Sequence, residues 1–173
     1  MTDLTPPLSA EDHVEGPDRA PLELVMFGDY QCPYTAAAQP IVRRVRDRLG
    51  NRLLFAVRHF PLRDVHPDAQ RAAEAAEAAA AQGAFWEMHD LMFEAPGPLT
   101  REDLIAHAVE LGLDSARIAE ELDSSLHALR VERDVDSGRA SGVGGTPAFF
   151  VGGRLHKAPH DAATLISALE ASA

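Results

Sequence analysis

Hydrophobic positions near the start of the chain predict two short strands joined by an amphipathic helix. The apolar run at 22–27 is long enough for a buried strand and too short for a helix, and Gly28 ends it. Between 36 and 49, apolar residues recur at helical spacing beside several arginines, and a glycine then stops the helix. A second apolar run at 53–59 follows almost at once. Two strands joined by one helix predict a right-handed β-α-β unit with parallel strands.

The rest of the chain changes to helical periodicity and then returns to short strands. From 63 to 141, apolar residues recur at helical spacing, with a break at Gly83 and a capping-box pattern that begins at Thr100. A short apolar run, a two-glycine turn and a final helical segment come after this region. These patterns predict a helical insertion at 63–141 between a β-α-β part at 21–62 and a β-β-α part at 142–173.

The first twenty residues differ from the remainder in composition. Residues 1–20 combine acids, prolines and hydroxyl side chains with few apolar side chains. Such a segment buries too little surface to offset the entropy of ordering, so we expect a flexible N-terminal tail.

Length and charge narrow the possible functions. The 173 residues suffice for one hydrophobic core, and the net charge of -11 disfavours binding to nucleic acids and to anionic membranes. The chain has neither a run of apolar residues that could span a bilayer nor a basic-then-apolar leader. We therefore expect a cytoplasmic protein.

Cys32 is the single cysteine of the chain, which excludes an intrachain disulfide and a multi-cysteine metal cage. It follows a predicted strand and precedes Pro33, a residue favoured at the first position of a helix. The unpaired N–H groups of a helix N-terminus stabilise a thiolate, which makes the sulfur nucleophilic. The alternative is that Cys32 is a small, inert core residue.

A second feature is the sequence Gly145-Thr146-Pro147, which precedes the short strand near the C-terminus. A bond before proline can be cis when its surroundings lock it. The neighbouring glycines do not form a dinucleotide motif, because they lead into a strand instead of following one and opening a helix.

The order of these features resembles the DsbA-like thioredoxin superfamily of thiol–disulfide oxidoreductases. The resemblance covers nearly all of the chain from Pro21 onward, and it rests on the segments FGDYQCPY at 27–34, RHFPL at 58–62 with His66-Pro67 after it, GAFWEMHD at 83–90 and GVGGTP at 142–147. It implies an α/β protein with a thioredoxin fold, in which a mixed central sheet carries an inserted all-helical subdomain.

The resemblance also implies roles for individual residues. Cys32 takes the position of the cysteine that attacks or carries a disulfide, and Gly145, Thr146 and Pro147 take the position of the loop that binds the substrate. Pro33, Tyr34 and Thr35 then stabilise the thiolate or line the site. Thr35 is one turn along the helix, so its hydroxyl could donate to the Cys32 thiolate. The alternatives are that Thr35 is only a small residue and that Tyr34 is an exposed aromatic without a role.

Two positions depart from the family pattern. Thr35 stands where the family has its second, resolving cysteine, and Met26 stands where it commonly has a buried carboxylate. A dithiol cycle within one chain is therefore impossible. A single-cysteine site can still form a mixed disulfide that an external thiol releases. Glutathione or another low-molecular-weight thiol is the expected co-substrate, with no tightly bound cofactor.

The histidines suggest packing and not metal binding. His59, His66 and His89 are surrounded in sequence by prolines and aromatic residues, and Pro159 interrupts the pair His156 and His160. No His-Glu-x-x-His pattern occurs, so we expect no metal site.

Three functions remain open from the sequence. The first is a thiol–disulfide oxidoreductase that acts through Cys32 on protein or small-molecule thiols and disulfides. The second is a peptide-binding or chaperone-like module that keeps the fold but has lost turnover. The third is a glutathione-dependent transferase or isomerase.

Overall fold

A computed structural model describes residues 2–95 and 97–173 of the chain. They form a five-stranded mixed sheet in the order β1-β3-β2-β4-β5. The strands are β1 (His13–Glu15), β2 (Leu22–Gly28), β3 (Leu53–His59), β4 (Ala148–Val151) and β5 (Arg154–Leu155). Strands β2 and β3 are parallel, and the other three pairs are antiparallel. The predicted mixed sheet is therefore confirmed.

Seven α-helices accompany the sheet in the described part of the chain. They are α1 (Pro33–Leu49), α2 (Ala69–Ala80), α3 (Phe85–Glu94), α4 (Arg101–Glu110), α5 (Ser115–Asp123), α6 (Ala128–Ala140) and α7 (Ala162–Ala171), and a short 3₁₀ turn (Gly50–Arg52) leads from α1 into β3. Helices α2 to α6 lie between β3 and β4 in chain order, where the pattern places the insertion. The division of the chain into subdomains at 63 and 141 stays a prediction.

The central strands are covered on both faces. Leu24 and Met26 of β2 join a large core with α1, α7 and the inserted helices, whereas Val25 and Phe27 join a second cluster on the opposite face. This is why β2 reads as a continuous apolar run and not as an alternating one. Thr100 caps α4 as predicted, because its side chain accepts from the Asp103 backbone N–H and the Asp103 carboxylate accepts in return.

The N-terminal segment is ordered, which differs from the expected flexible tail. Residues 13–15 form β1 at one edge of the sheet, and Leu4 is buried near the opposite edge, where its backbone N–H donates to the Gly153 carbonyl. The buried Arg58 side chain fastens the segment by donating to both carboxylate oxygens of Asp12 at 2.7 and 3.0 Å. Composition alone missed this anchoring, because the partners of the segment lie far along the chain.

Arg58 has a partner for each of its five N–H groups. Besides the two bonds to Asp12, it donates to the backbone carbonyls of Pro6 and Pro7 and to the Ser137 hydroxyl of α6. The segment before β1 is thus connected through one buried side chain to the sheet and to α6.

Candidate active site

Cys32 lies at the junction between β2 and α1. Strand β2 ends at Gly28, and Pro33 is the first residue of α1, so Cys32 occupies the N-cap position of the helix. The cysteine is 3% exposed, and its S–H donates to the backbone carbonyl of Thr146 at 3.4 Å. The structure thus brings together the two loops that the sequence singled out.

The pairing of β2 with β4 explains this contact. Phe27 is opposite Ala148 in the antiparallel register, so the residues after β2 and those before β4 emerge at the same edge of the sheet. The Thr146–Pro147 peptide bond is cis. The Thr146 hydroxyl oxygen is buried and has no hydrogen-bond partner among the described residues.

The glycines before this loop differ in their roles. Gly142 has a φ of 77°, a conformation that side chains rarely adopt, so this position requires glycine. Gly144 and Gly145 do not have a positive φ, and an added Cβ at either would meet no described atom within 4 Å. The space beside Gly145 leaves the loop open to an approaching molecule.

Asp29, which is not among the site residues predicted from the sequence, organises the cysteine loop. Its Oδ1 accepts from the backbone N–H groups of Gln31 at 2.7 Å and Cys32 at 3.1 Å. Its Oδ2 accepts from the Leu62 N–H and pairs with His66 Nδ1, both at 2.8 Å. One buried carboxylate therefore connects the cysteine loop to the segment after β3. An aspartate immediately after a strand commonly accepts from the backbone two residues on, which is the local signal that could have identified it.

Gln31 fastens the same loop to the start of α2. Its Oε1 accepts from the Asp68 backbone N–H at 2.6 Å, and its Nε2 donates to the Asp68 carboxylate at 3.3 Å. Together with the Asp29 contacts, these bonds hold both sides of the turn that presents Cys32.

Thr35 does not take the position expected for its hydroxyl. It is fully buried, and its Oγ1 accepts from the Asp29 backbone N–H at 3.4 Å, while the described hydrogen bond of the Cys32 sulfur goes to Thr146. The Thr35 and Met26 methyl groups both lie beside Gly28, where an added Cβ would meet them at 3.0 and 3.5 Å. The two departures from the family pattern are therefore neighbours.

Pro33 and Tyr34 are at the surface of the site. Pro33 is exposed and Tyr34 is 75% exposed. Their expected role in stabilising the thiolate or lining the site stays a prediction.

A buried pair, Tyr30 and His89, lies behind the cysteine loop. The Tyr30 hydroxyl and His89 Nδ1 are 2.9 Å apart. Burial raises the pKa of Tyr30 well above 10.0. Burial, followed by the electrostatic interaction with His59, lowers the pKa of His89 to about 3. At neutral pH the tyrosine is thus the donor and a neutral imidazole the acceptor. His89 therefore acts as a packed structural residue.

A second buried polar cluster contains Glu77 of α2 between two histidines. His13 Nε2 and His59 Nε2 are 2.7 and 2.8 Å from the same Glu77 oxygen. Burial raises the pKa of Glu77, but hydrogen bonds from His13 and His59 outweigh it, and the pKa falls far below its usual 4.5. These three side chains are the group in the described part of the chain that could hold a metal ion.

Two solved structures share the fold of this chain. A thioredoxin-like oxidoreductase from Silicibacter pomeroyi superposes with a TM-score of 0.85 at 23% identity, over 95% of this chain and 93% of that one. Oxidised BdbD from Bacillus subtilis superposes with a TM-score of 0.84 at 23% identity, over 94% and 92% of the two chains. The predicted thioredoxin fold is confirmed.

Curated relatives share more sequence but are much longer. A protein named Na(+)/H(+) antiporter NhaA 1 from Salinispora arenicola is 46% identical over 170 residues, which is 98% of this chain and 26% of that protein. A similarly named protein from Herminiimonas arsenicoxydans is 45% identical over 27% of its length. None of the helices formed by the described residues of this chain is long and apolar enough to cross a membrane.

The family comparison agrees with the fold and covers the segment that contains Cys32. The model of the DSBA-like thioredoxin domain matches residues 23–170, which include both loops of the site and all the inserted helices. The chain therefore belongs to the DSBA-like thioredoxin domain family.

Proposed function

We propose that this protein is a thiol–disulfide oxidoreductase that acts through Cys32 alone and depends on an external thiol. The observation that carries the proposal is the position of the Cys32 sulfur at the start of α1, 3.4 Å from the Thr146 carbonyl. The sulfur thus lies at the end of the helix where the first backbone N–H groups have no partner within the helix. Neighbouring backbone on the Thr146 side offers polar groups to a bound thiol or peptide.

The exchange reaction needs two steps. In the first, the Cys32 thiolate attacks one sulfur of a substrate disulfide, the substrate S–S bond breaks, and the other sulfur leaves as a thiolate that takes a proton from solvent. In the second, an external thiolate attacks the substrate sulfur of the mixed disulfide and releases the Cys32 thiolate. One substrate disulfide and one thiol are consumed, and one new disulfide and one new thiol are formed.

The external thiol is needed because the chain has no second sulfur nucleophile. Cys32 is its only cysteine, and Thr35 occupies the next turn of the helix. A cavity of about 210 Å³ lies beside the cysteine loop, with Gln31, Ala36 and Phe93 among its lining residues. The cavity lies next to Cys32, which is not among its lining residues.

Access to the sulfur is the condition that an experiment must examine, because Cys32 is almost buried. We would incubate the folded protein with glutathione disulfide and follow the addition of one glutathionyl group by intact-protein mass spectrometry. The same chain in denaturant is the reference, and Cys32→Ser is the matched control. The proposal expects faster addition in the folded protein than in the unfolded chain, and no addition to Cys32→Ser.

Other results would favour the remaining functions. Slower addition in the folded protein than in denaturant would identify an inert, buried thiol. If Cys32→Ala then still bound extended peptides, the peptide-binding module would be favoured. Turnover of electrophiles with glutathione, but not of disulfides, would favour the transferase.

A further inference from the structure

The cluster of His13, His59 and Glu77 joins three separate elements. His13 begins β1, His59 ends β3, and Glu77 lies in α2. The two Nε2 atoms and the shared carboxylate oxygen all lie within 4.8 Å of one another. His59 and Glu77 are 1% and 6% exposed, while the His13 side chain is 17% exposed and gives the cluster one side open to solvent.

The second carboxylate oxygen of Glu77 lacks a close cationic partner in the described part of the chain. The guanidinium group nearest to it belongs to Arg130, whose Nε is 3.9 Å from the second carboxylate oxygen. Arg130 is already paired with Asp134 at 2.6 Å, so one arginine serves two buried or nearly buried carboxylates. A cation held between Glu77 and the two imidazoles would place a full positive charge beside this carboxylate.

The donor set identifies the class of cation. Two imidazole nitrogens and one carboxylate oxygen are a set that zinc accepts, with a fourth position left for water, whereas calcium and magnesium prefer oxygen alone. Bond lengths near 2.0–2.1 Å in a tetrahedral site place donor atoms about 3.3 Å apart. The present separations of 2.7 and 2.8 Å therefore have to widen by roughly half an ångström on binding. His13 can supply this shift, because its ring stacks flat on Phe85 and is partly exposed.

We propose that His13, His59 and Glu77 bind one Zn²⁺ ion, which connects β1 to β3 and α2. The site departs from the expectation of no metal, which rested on short spacings along the sequence. The three ligands come from distant elements, so no spacing motif reveals them. The site uses no atom of Cys32, and its success or failure is independent of the proposed thiol chemistry.

The test uses the full chain with Cys32→Ser, because a free thiolate would itself bind zinc. After treatment with a chelator, the protein is titrated with Zn²⁺ in competition with a chromophoric chelator, and thermal unfolding is followed with and without the ion. We expect one ion per chain and a higher Tm with zinc. Co²⁺ should give visible absorption bands of a four- or five-coordinate site in this thiol-free protein.

Variants then assign the ligands. His13→Asn and Glu77→Gln should each weaken zinc binding by at least about tenfold. The matched control is His127→Asn, which removes one member of the other His–Glu pair, formed with Glu121 at 2.7 Å, and should leave zinc binding unchanged. If Glu77→Gln fails to fold, His13→Asn decides, since its side chain lies at the open side of the cluster. Absence of saturable binding, or binding that His13→Asn leaves unchanged, would overturn the proposal.

Discussion

The Asp29 carboxylate accepts a hydrogen bond from the backbone N–H of Cys32 at 3.1 Å, so the residue that precedes α1 is fixed by a side chain only three positions away. The other oxygen of the same carboxylate holds Leu62 and His66 on the far side of the turn. Asp29 is 1% exposed, and the four contacts account for both of its oxygens. It therefore acts as the positioning residue for Cys32.

Asp29→Asn should destabilise the fold and slow the reaction of Cys32. The asparagine amide has one oxygen, which accepts hydrogen bonds, and one NH₂ group, which does not. At least one of the backbone N–H groups of Gln31, Cys32 and Leu62 therefore loses its partner. We expect a loss of about 1–3 kcal/mol in the free energy of unfolding, measured by urea denaturation. Glutathionylation of Cys32 should be slower in the variant than in the parent protein, measured under conditions in which the variant is fully folded. Asp136→Asn replaces an exposed carboxylate and should change stability by less than about 0.5 kcal/mol; equal effects of the two substitutions would contradict the role of Asp29.

Thr35→Cys should restore a dithiol site. Residues 32 and 35 are one helical turn apart, and side chains three positions apart on a helix lie close enough for a disulfide. After mild oxidation, alkylation should find no free thiol in the monomeric variant, and reduction should release two. Thr164→Cys, in the remote helix α7, is the control and should give no intrachain disulfide. Persistence of two free thiols in oxidised Thr35→Cys would show that the sulfur atoms cannot meet.

Asp12→Ala should be strongly destabilising despite its place in the N-terminal segment. It leaves the buried Arg58 guanidinium without its counterion, and such a loss costs about 3–5 kcal/mol. Urea denaturation measures the effect. Asp18→Ala changes an exposed acid in the same segment and should have little effect. A flexible tail would make the two variants equivalent.

His89 should make the protein less stable on acidification. The pKa of His89 falls to about 3 in the folded state from 6.5 in the unfolded chain, because burial disfavours its charged form. The unfolded chain therefore binds a proton between these values that the folded protein excludes. Below pH 6.5 this group should lower the free energy of unfolding by about 1.4 kcal/mol for each pH unit of acidification. Above pH 6.5 the neutral imidazole is present in both states, and the stability no longer depends on its titration.

His89→Asn removes this titration while keeping an acceptor for the Tyr30 hydroxyl. Urea denaturation between about pH 7 and about pH 4.5 should show a shallower loss of stability in the variant than in the parent protein. If the free energy of unfolding falls equally with pH in the variant and in the parent protein, His89 takes up its proton in the folded state as it does in the unfolded chain. The absolute stability of the variant at pH 7 is expected to be lower, because a buried imidazole is replaced by a smaller side chain.

Local patterns determined the elements and the position of the thiol. The apolar run ending at Gly28, Pro33 at the first position of α1 and the Thr100 capping box each act within a few residues, and all three are present in the structure. The sequence by itself also determined that Cys32 has no sulfur partner within the chain, because composition settles that question.

Only the tertiary structure decided which distant groups meet. Cys32 reaches Thr146 because β2 pairs with β4, and His13 reaches Glu77 because β1 adds to the edge of β3 beside α2. The ordering of residues 2–20 has the same origin, since it depends on Arg58 far along the chain. Periodicity records which face of an element is buried, but it contains no information on which element covers that face.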